Sequence, residues 1–205
     1  GYPIFLAQGI VANLSPRAFL ELFWDSSRTH EYNFYCTGRD DVLMVDENAD
    51  ELLLSKDIHA ATKVVKSETR VPFTGLTVPL LVMMHVRPLP GGPEEGYLII
   101  SRSLSSGMAG YHTASSSRSN IQNTKTEILW GVNVLKTVPG HPDQTELHSL
   151  SQMASALVPN FLSQKIGLMG VEEFFWNVRN PNSKQAQVAT ASTSTTSCTG
   201  KAVGL

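Results

Sequence analysis

Arg87 and Arg102 are the side chains in this chain that most need a chemical explanation. Arg87 shares an alternating face with Leu81, Met83, His85 and Leu89, and Arg102 shares one with Leu98, Ile100 and Leu104. A guanidinium held among apolar side chains requires a buried partner or a ligand headgroup, because an unpaired charge in a low-dielectric site is costly. The alternative is that both lie at strand ends and reach water over their own stems. His85 and Arg87 together form a titratable pair that could serve acid–base work only on a concave, enclosed face. A satisfied core histidine is the simpler reading of His85.

Other chemistry is sparse. The six histidines, at positions 30, 59, 85, 112, 141 and 148, show no HExxH spacing and no paired metal spacing. No serine sits in a Gly-x-Ser-x-Gly elbow. Gly91-Gly92 has neither the spacing nor the following element of a phosphate loop. Asp40-Asp41 and Glu94-Glu95 read as solvated turn residues. The expectation is a protein that is not an enzyme and uses no metal or cofactor.

Composition narrows the class. With 205 residues, 41% hydrophobic and 17% charged, the chain is long enough for one globular domain with a real core. A net charge of −2 argues against binding driven by nucleic-acid phosphates. No window approaches the length of a membrane-spanning helix. Cys36 and Cys198 are too far apart to frame a small disulfide fold, so two reduced thiols in a cytoplasmic protein are expected. The start at Gly1-Tyr-Pro reads as an excerpt or a processed product. From about residue 183 the chain turns Ser/Thr-rich, which predicts a flexible tail over 183–205 after a domain at 1–182.

The elements that would position these residues follow from periodicity and breakers. Ile4 to Ala12 predicts a strand. Ser15-Pro16 then supplies an N-cap and a first-turn proline, and Phe19, Leu20, Phe23 and Trp24 give a short amphipathic helix to about Ser27. Strands are predicted over 40–45, 61–71 and 76–89, the last ending at Pro88 and Pro90. Pro90 to Gly96 turns the chain back into 97–104, making a hairpin. Residues 105–125 form a long Ser/Gly/Asn-rich loop with Met108 and Tyr111 as its apolar tips, a candidate gate. A second hairpin joins 127–138, which carries Trp130, to 145–153 around Pro139-Gly-His-Pro-Asp143. A helix of about twenty residues follows Val158-Pro159, with Phe161, Leu162, Ile166, Met169, Phe174 and Val178 on its apolar stripe. Gly167 and Gly170 weaken this helix by roughly 1 kcal/mol each relative to alanine and suggest a flexible point in a lid. The order is that of an α+β domain whose helices lie on one side of an antiparallel sheet.

This order resembles a START domain, a lipid-binding family built on the helix-grip fold. The residues that carry the resemblance are Ser15-Pro-Arg-Ala-Phe-Leu-Glu-Leu-Phe-Trp-Asp25 with Arg28 and Asn33, Val78 to Leu89, Tyr97 to Ser103, Val134 to Leu147, and Leu157-Val-Pro159. Departures are Tyr32 where the family often has Trp, Pro79-Leu80-Leu81 for an Arg-Asp-Phe opening, and Ala154-Ser-Ala-Leu157 for an Asp and a Gly. The family's N-terminal helix has no counterpart in the resemblance, which runs over roughly residues 2 to 180.

The resemblance implies a curved antiparallel sheet wrapped around a long C-terminal helix, enclosing a cavity for one lipid or other apolar molecule. It implies a monomer that visits membrane surfaces, with no nucleic-acid partner. Some sterol-binding members place an acid and an arginine inside such a cavity, and Glu68 and Arg87 lie nearest that pattern. Alternation sets against this a solvent-facing Glu68, since Thr62, Lys66, Glu68 and Arg70 make its strand face mostly polar. The ligand-contact candidates are therefore Glu68, Met83, His85, Arg87, Arg102, Trp130, Phe161, Ile166, Met169 and Phe174. Two other readings stay open: an enzyme of the wider helix-grip superfamily, and a ligand-free interaction module whose cavity is filled by its own side chains.

Overall fold

A computed structural model of the chain describes residues 2–45, 60–71, 77–104, 126–155, 158 and 160–180. The loop with Met108 and Tyr111, the tail from 183 and the side chain of Phe161 lie outside the described residues.

The strands are β1 (Ile4–Val11), β2 (Cys36–Met44), β3 (Ala61–Arg70), β4 (Thr77–Leu89), β5 (Gly92–Ser103), β6 (Thr126–Val138) and β7 (His141–Ser155). They form one antiparallel sheet in the order β1-β7-β6-β5-β4-β3-β2. Between β1 and β2 lie helix α1 (Pro16–Trp24), a 3₁₀ turn (Ser26–Arg28) and the single-turn helix α2 (Thr29–Tyr32); helix α3 (Asn160–Arg179) follows β7. This is the helix-grip α+β arrangement expected from the sequence, a curved sheet closed by a C-terminal helix. The two predicted hairpins are present, β4 to β5 and β6 to β7. The first helix is shorter than expected. Asp25 leaves helical geometry at φ −69°, ψ 110°, and its carboxylate accepts from the Ser27 N–H at 2.9 Å to start the 3₁₀ turn.

Local chemistry sets these boundaries. Ser15 Oγ accepts the Ala18 N–H at 3.2 Å, and Pro16 occupies the first turn, where no N–H is needed. Gly96 has φ +137°, and a Cβ there would collide with the Leu135 carbonyl on the neighbouring strand, so this close β5–β6 approach requires glycine.

The sheet has two unlike faces. Val78, Leu80, Val82, Met84 and Val86 of β4 are buried toward the helices, whereas Leu81, Met83 and His85 are partly buried and Arg87 is exposed on the opposite face. Toward one end of the concave face, α1 packs on β5, β6 and β7. There Phe19 and Leu20 join fully buried Val11, Leu135 and Leu147, with Tyr97 and Ile99. Phe174 of α3 links the helices: its ring centroid is 6.4 Å from that of Phe19, 5.7 Å from Phe23 and 6.1 Å from Tyr32.

One cation is fully buried in this interior. Lys63 of β3 donates to the Trp24 carbonyl at the end of α1, to Asp41 Oδ1 at 2.7 Å and to Ser26 Oγ at 3.3 Å. Its ammonium also lies 4.6 Å from the centroid of the Trp24 ring. Arg39 of β2 reaches the same place, donating to the Phe23 carbonyl at 2.7 Å, Ser26 Oγ at 3.0 Å and the Tyr32 hydroxyl at 2.7 Å. Replacing Lys63 with Met keeps the apolar stem and removes the charged donor. The variant is expected to lose about 2 kcal/mol of stability, the scale of a charge-assisted hydrogen bond, read as a lower urea midpoint at unchanged slope.

Candidate functional site: a cavity between the sheet and the C-terminal helix

Beside the α1 plug, the concave face and α3 line a partly open cavity of about 390 Å³. Its apolar wall includes Phe5, Val78, Leu80, Ile166 and Phe174. Strand parity puts these together: Phe5 and Ala7 are the inward residues of β1, and Val78 and Leu80 those of β4. The size lies within the roughly 300–1,000 Å³ of small-molecule sites, toward the lower end.

On the β6–β7 side the polar lining is uncharged. Asn133 of β6 and Ser149 of β7 are register partners, and Ser151 is the next inward residue of β7. Among the described residues, the charged ones along the lining, Arg70 and Glu173, lie elsewhere. Arg70 is exposed, and Glu173 Oε1 accepts the Phe34 N–H at 2.7 Å and the Asn177 side-chain amide. Among the described residues no group of three or more His, Cys, Asp or Glu is placed to hold a metal.

Of the residues expected from sequence to meet a ligand, Ile166 and Phe174 line the cavity. Glu68, Met83, His85, Arg87, Arg102 and Trp130 do not, because they belong to the convex face. Glu68, Arg87 and Arg102 are exposed, Trp130 is 48% exposed, and Met83 and His85 are partly buried there. Met169 is partly buried on α3 but outside the lining. Glu68 and Arg87 are also not cross-strand neighbours: Glu68 pairs with Pro79, and Arg87 with Leu98.

The convex residues have partners of their own. His85 Nδ1 is 3.0 Å from Thr62 Oγ1 across β3 and β4, and the Arg102 guanidinium stacks 5.0 Å from the Trp130 ring centroid. Sequence reasoning missed Asn133, Ser149 and Ser151. The usable signal was the inverted alternation of β6, in which Val132 and Val134 face outward and Asn133 inward.

The two helix glycines differ. A Cβ on Gly167 would overlap the Phe5 ring, so this glycine lets α3 close onto β1. A Cβ on Gly170 would meet nothing within 4 Å, because Gly170 borders the cavity.

Burial pushes the phenol of Tyr32, a cavity residue, above its ordinary range, against the opposing hydrogen bond from Arg39. Burial likewise raises the Cys36 thiol, whose Sγ donates to the Gly38 carbonyl at 3.3 Å. On the surface, the Ser27 hydroxyl lowers Asp25, and the two-point bond from Arg28, at 2.7 and 3.0 Å, lowers Glu31.

Two outcomes are expected. Gly170→Ala should stabilise the protein by up to about 1 kcal/mol through helix propensity, while Gly167→Ala should destabilise it by about 1–3 kcal/mol through overpacking. Thermal unfolding of the two variants would separate them. Because Tyr32 and Cys36 hold their protons more tightly when folded, their contribution is complete below the ordinary thiol value of about 8.5. It is then lost as pH rises through the unfolded thiol and phenol values, about 8.5 and 10, toward the raised folded ones. Urea midpoints should therefore fall between neutrality and about pH 10, and less so in a Cys36→Ala, Tyr32→Phe variant.

No protein-family model and no curated protein matches the chain. Solved structures do. The human StarD13 (DLC2) lipid transfer and protein localization domain aligns at TM-score 0.61 and 10% identity over 88% of this chain and 77% of its own. Human STARD10 gives 0.60 and 10% over 91% and 68%, and human StAR-related lipid transfer protein 5 gives 0.59 and 13% over 90% and 76%. At such identities the likeness is one of architecture, and the chain has the helix-grip fold of START domains.

Proposed function

We propose that the chain binds one lipid or other apolar molecule inside the cavity, for lipid transfer or sensing. The observation that carries this reading is an apolar space of about 390 Å³ left open between a curved sheet and its covering helix. A concave, mostly apolar space with a few polar groups on its wall has the character of a small-molecule site. Two of the structural neighbours carry lipid transfer in their names, which supports the same reading.

Binding would be driven by burial of the apolar body at about 25 cal/mol per Å². Release requires part of the cover to move, and the cover helix carries apolar side chains that a bilayer interface would accept. Leu168 is 50% exposed and Trp176 62% exposed on α3, and Phe34 beside it is 63% exposed. No helix among the described residues is long and apolar enough to cross a membrane. On this proposal, residues 1–182 are a monomeric cytoplasmic carrier domain that touches membranes transiently, with 183–205 as its tail. The catalytic rival loses its residues, since the His85–Arg87 pair lies on the convex face.

The test is native mass spectrometry of the full chain after exposure to a mixed lipid extract, with Gly170→Leu as the blocked variant. The wild type is expected to carry one lipid per chain. The variant, whose new side chain projects into the cavity, should lose at least tenfold in occupancy while keeping its fold. A folded wild type that carries no lipid would overturn the proposal.

A further inference from the structure

Building on the ligand-binding reading above, we propose that the cavity selects apolar molecules bearing an uncharged hydrogen-bonding group, an alcohol or carbonyl, and rejects phosphate-bearing ones. The recognition site is Asn133, Ser149 and Ser151.

These three side chains line the cavity, and among the described residues none of them forms a hydrogen bond with another protein group. Neighbouring polar residues behave differently. Thr126 and Ser155, also in the lining, are 2.8 Å apart, and Ser103 accepts the Ile128 N–H at 2.8 Å. No buried side-chain nitrogen or oxygen lacks a partner among the described residues, so the free atoms of the three reach the cavity space. A polar group facing a largely apolar space is satisfied there by whatever occupies it, and a ligand that displaces water must replace the hydrogen bonds that water made.

Position and chemistry define the partner. Asn133 and Ser149 are paired across β6 and β7, one inward step from Leu135 and Leu147, which are fully buried. A ligand whose polar end meets this row therefore lies with that end toward the α1 plug and its body along Phe5, Val78 and Ile166. An amide and two hydroxyls offer both donors and acceptors but no net charge. A hydroxyl or carbonyl is satisfied by one or two of them. A phosphate would have to shed its water with no cation in this row to replace it. Among the described residues Arg70 is the cation in the lining, but it comes from the end of β3, is exposed, and is separated from this row by β4 and β5.

Equilibrium dialysis of the full chain against dodecane, dodecanol and dodecyl phosphate reads the preference directly. Dodecanol is expected to bind about three- to tenfold tighter than dodecane, the scale of one net hydrogen bond, and dodecyl phosphate weaker than either. A Ser149→Ala, Ser151→Ala double variant, with Asn133→Leu added in a second variant, should retain dodecane and lose the preference for dodecanol. The isosteric serine changes keep the test interpretable if the asparagine change unfolds the protein. Equal binding of dodecane and dodecanol, or tighter binding of the phosphate, would overturn the selectivity and leave the binding function standing. A folded chain that binds none of the three would overturn both.

Discussion

The position of α1 depends on two cations at its C-terminal end. A helix terminus concentrates unpaired carbonyls and the negative end of its dipole, and burying such an end requires donors. Lys63 and Arg39 supply them to the Phe23 and Trp24 carbonyls, with Asp41 beside Lys63 at 2.7 Å. These cations come from β3 and β2, one sheet edge, whereas α1 follows directly from β1, the other edge. The pairing therefore ties opposite margins of the sheet through the helix that lies between them. That tie holds the trough closed at the α1 end and confines the open space to the part covered by α3.

α3 is in turn held unevenly. Its second half carries Phe174 within the ring cluster and Asn177 and Val178 buried, and Arg179 donates to the Ile10 carbonyl at 3.3 Å. Its first half covers the cavity with Ile166, while Gln164, Lys165 and Leu168 face outward. Among the described residues, the buried ones of α3, Asn177 and Val178, both lie after Gly170. Gly167 complicates the flexible-point reading drawn from sequence, because its lack of a Cβ serves close packing on Phe5. Gly170 is the helix glycine where an added Cβ would meet nothing within 4 Å, so its cost in helix propensity has no packing reason.

The element order and the strand-to-helix sequence were legible because each rests on local signals: Ser15-Pro16 at a helix start, paired prolines and glycines at hairpin turns, and a long apolar stripe after the last strand. The cavity-facing side of β4 was not legible. Leu81 and Met83 on one face and Val82 and Met84 on the other are equally apolar, so alternation could not say which face is concave. With that parity reversed, Met83, His85, Arg87, Arg102 and Trp130 became expected ligand contacts although they lie outside. That Ile166 and Phe174 face the cavity was readable, because a single apolar stripe on a cover helix has one side to face. Lys63 was invisible for a related reason: a lysine between Thr62 and Val64 reads as a solvent position unless the helix end it serves is known.

The same parity explains how polar residues are distributed between the two faces. Outside, where water could have satisfied them, His85 has Thr62 and Arg102 has the Trp130 ring. Inside, Asn133, Ser149 and Ser151 have no protein partner among the described residues and face the cavity. Folding alone would favour the reverse, with apolar side chains at these three inward positions closing the void as Leu135 and Leu147 do in the adjoining row. Forgoing that packing leaves uncharged donors and acceptors along the cavity wall, the arrangement from which the proposed selectivity follows.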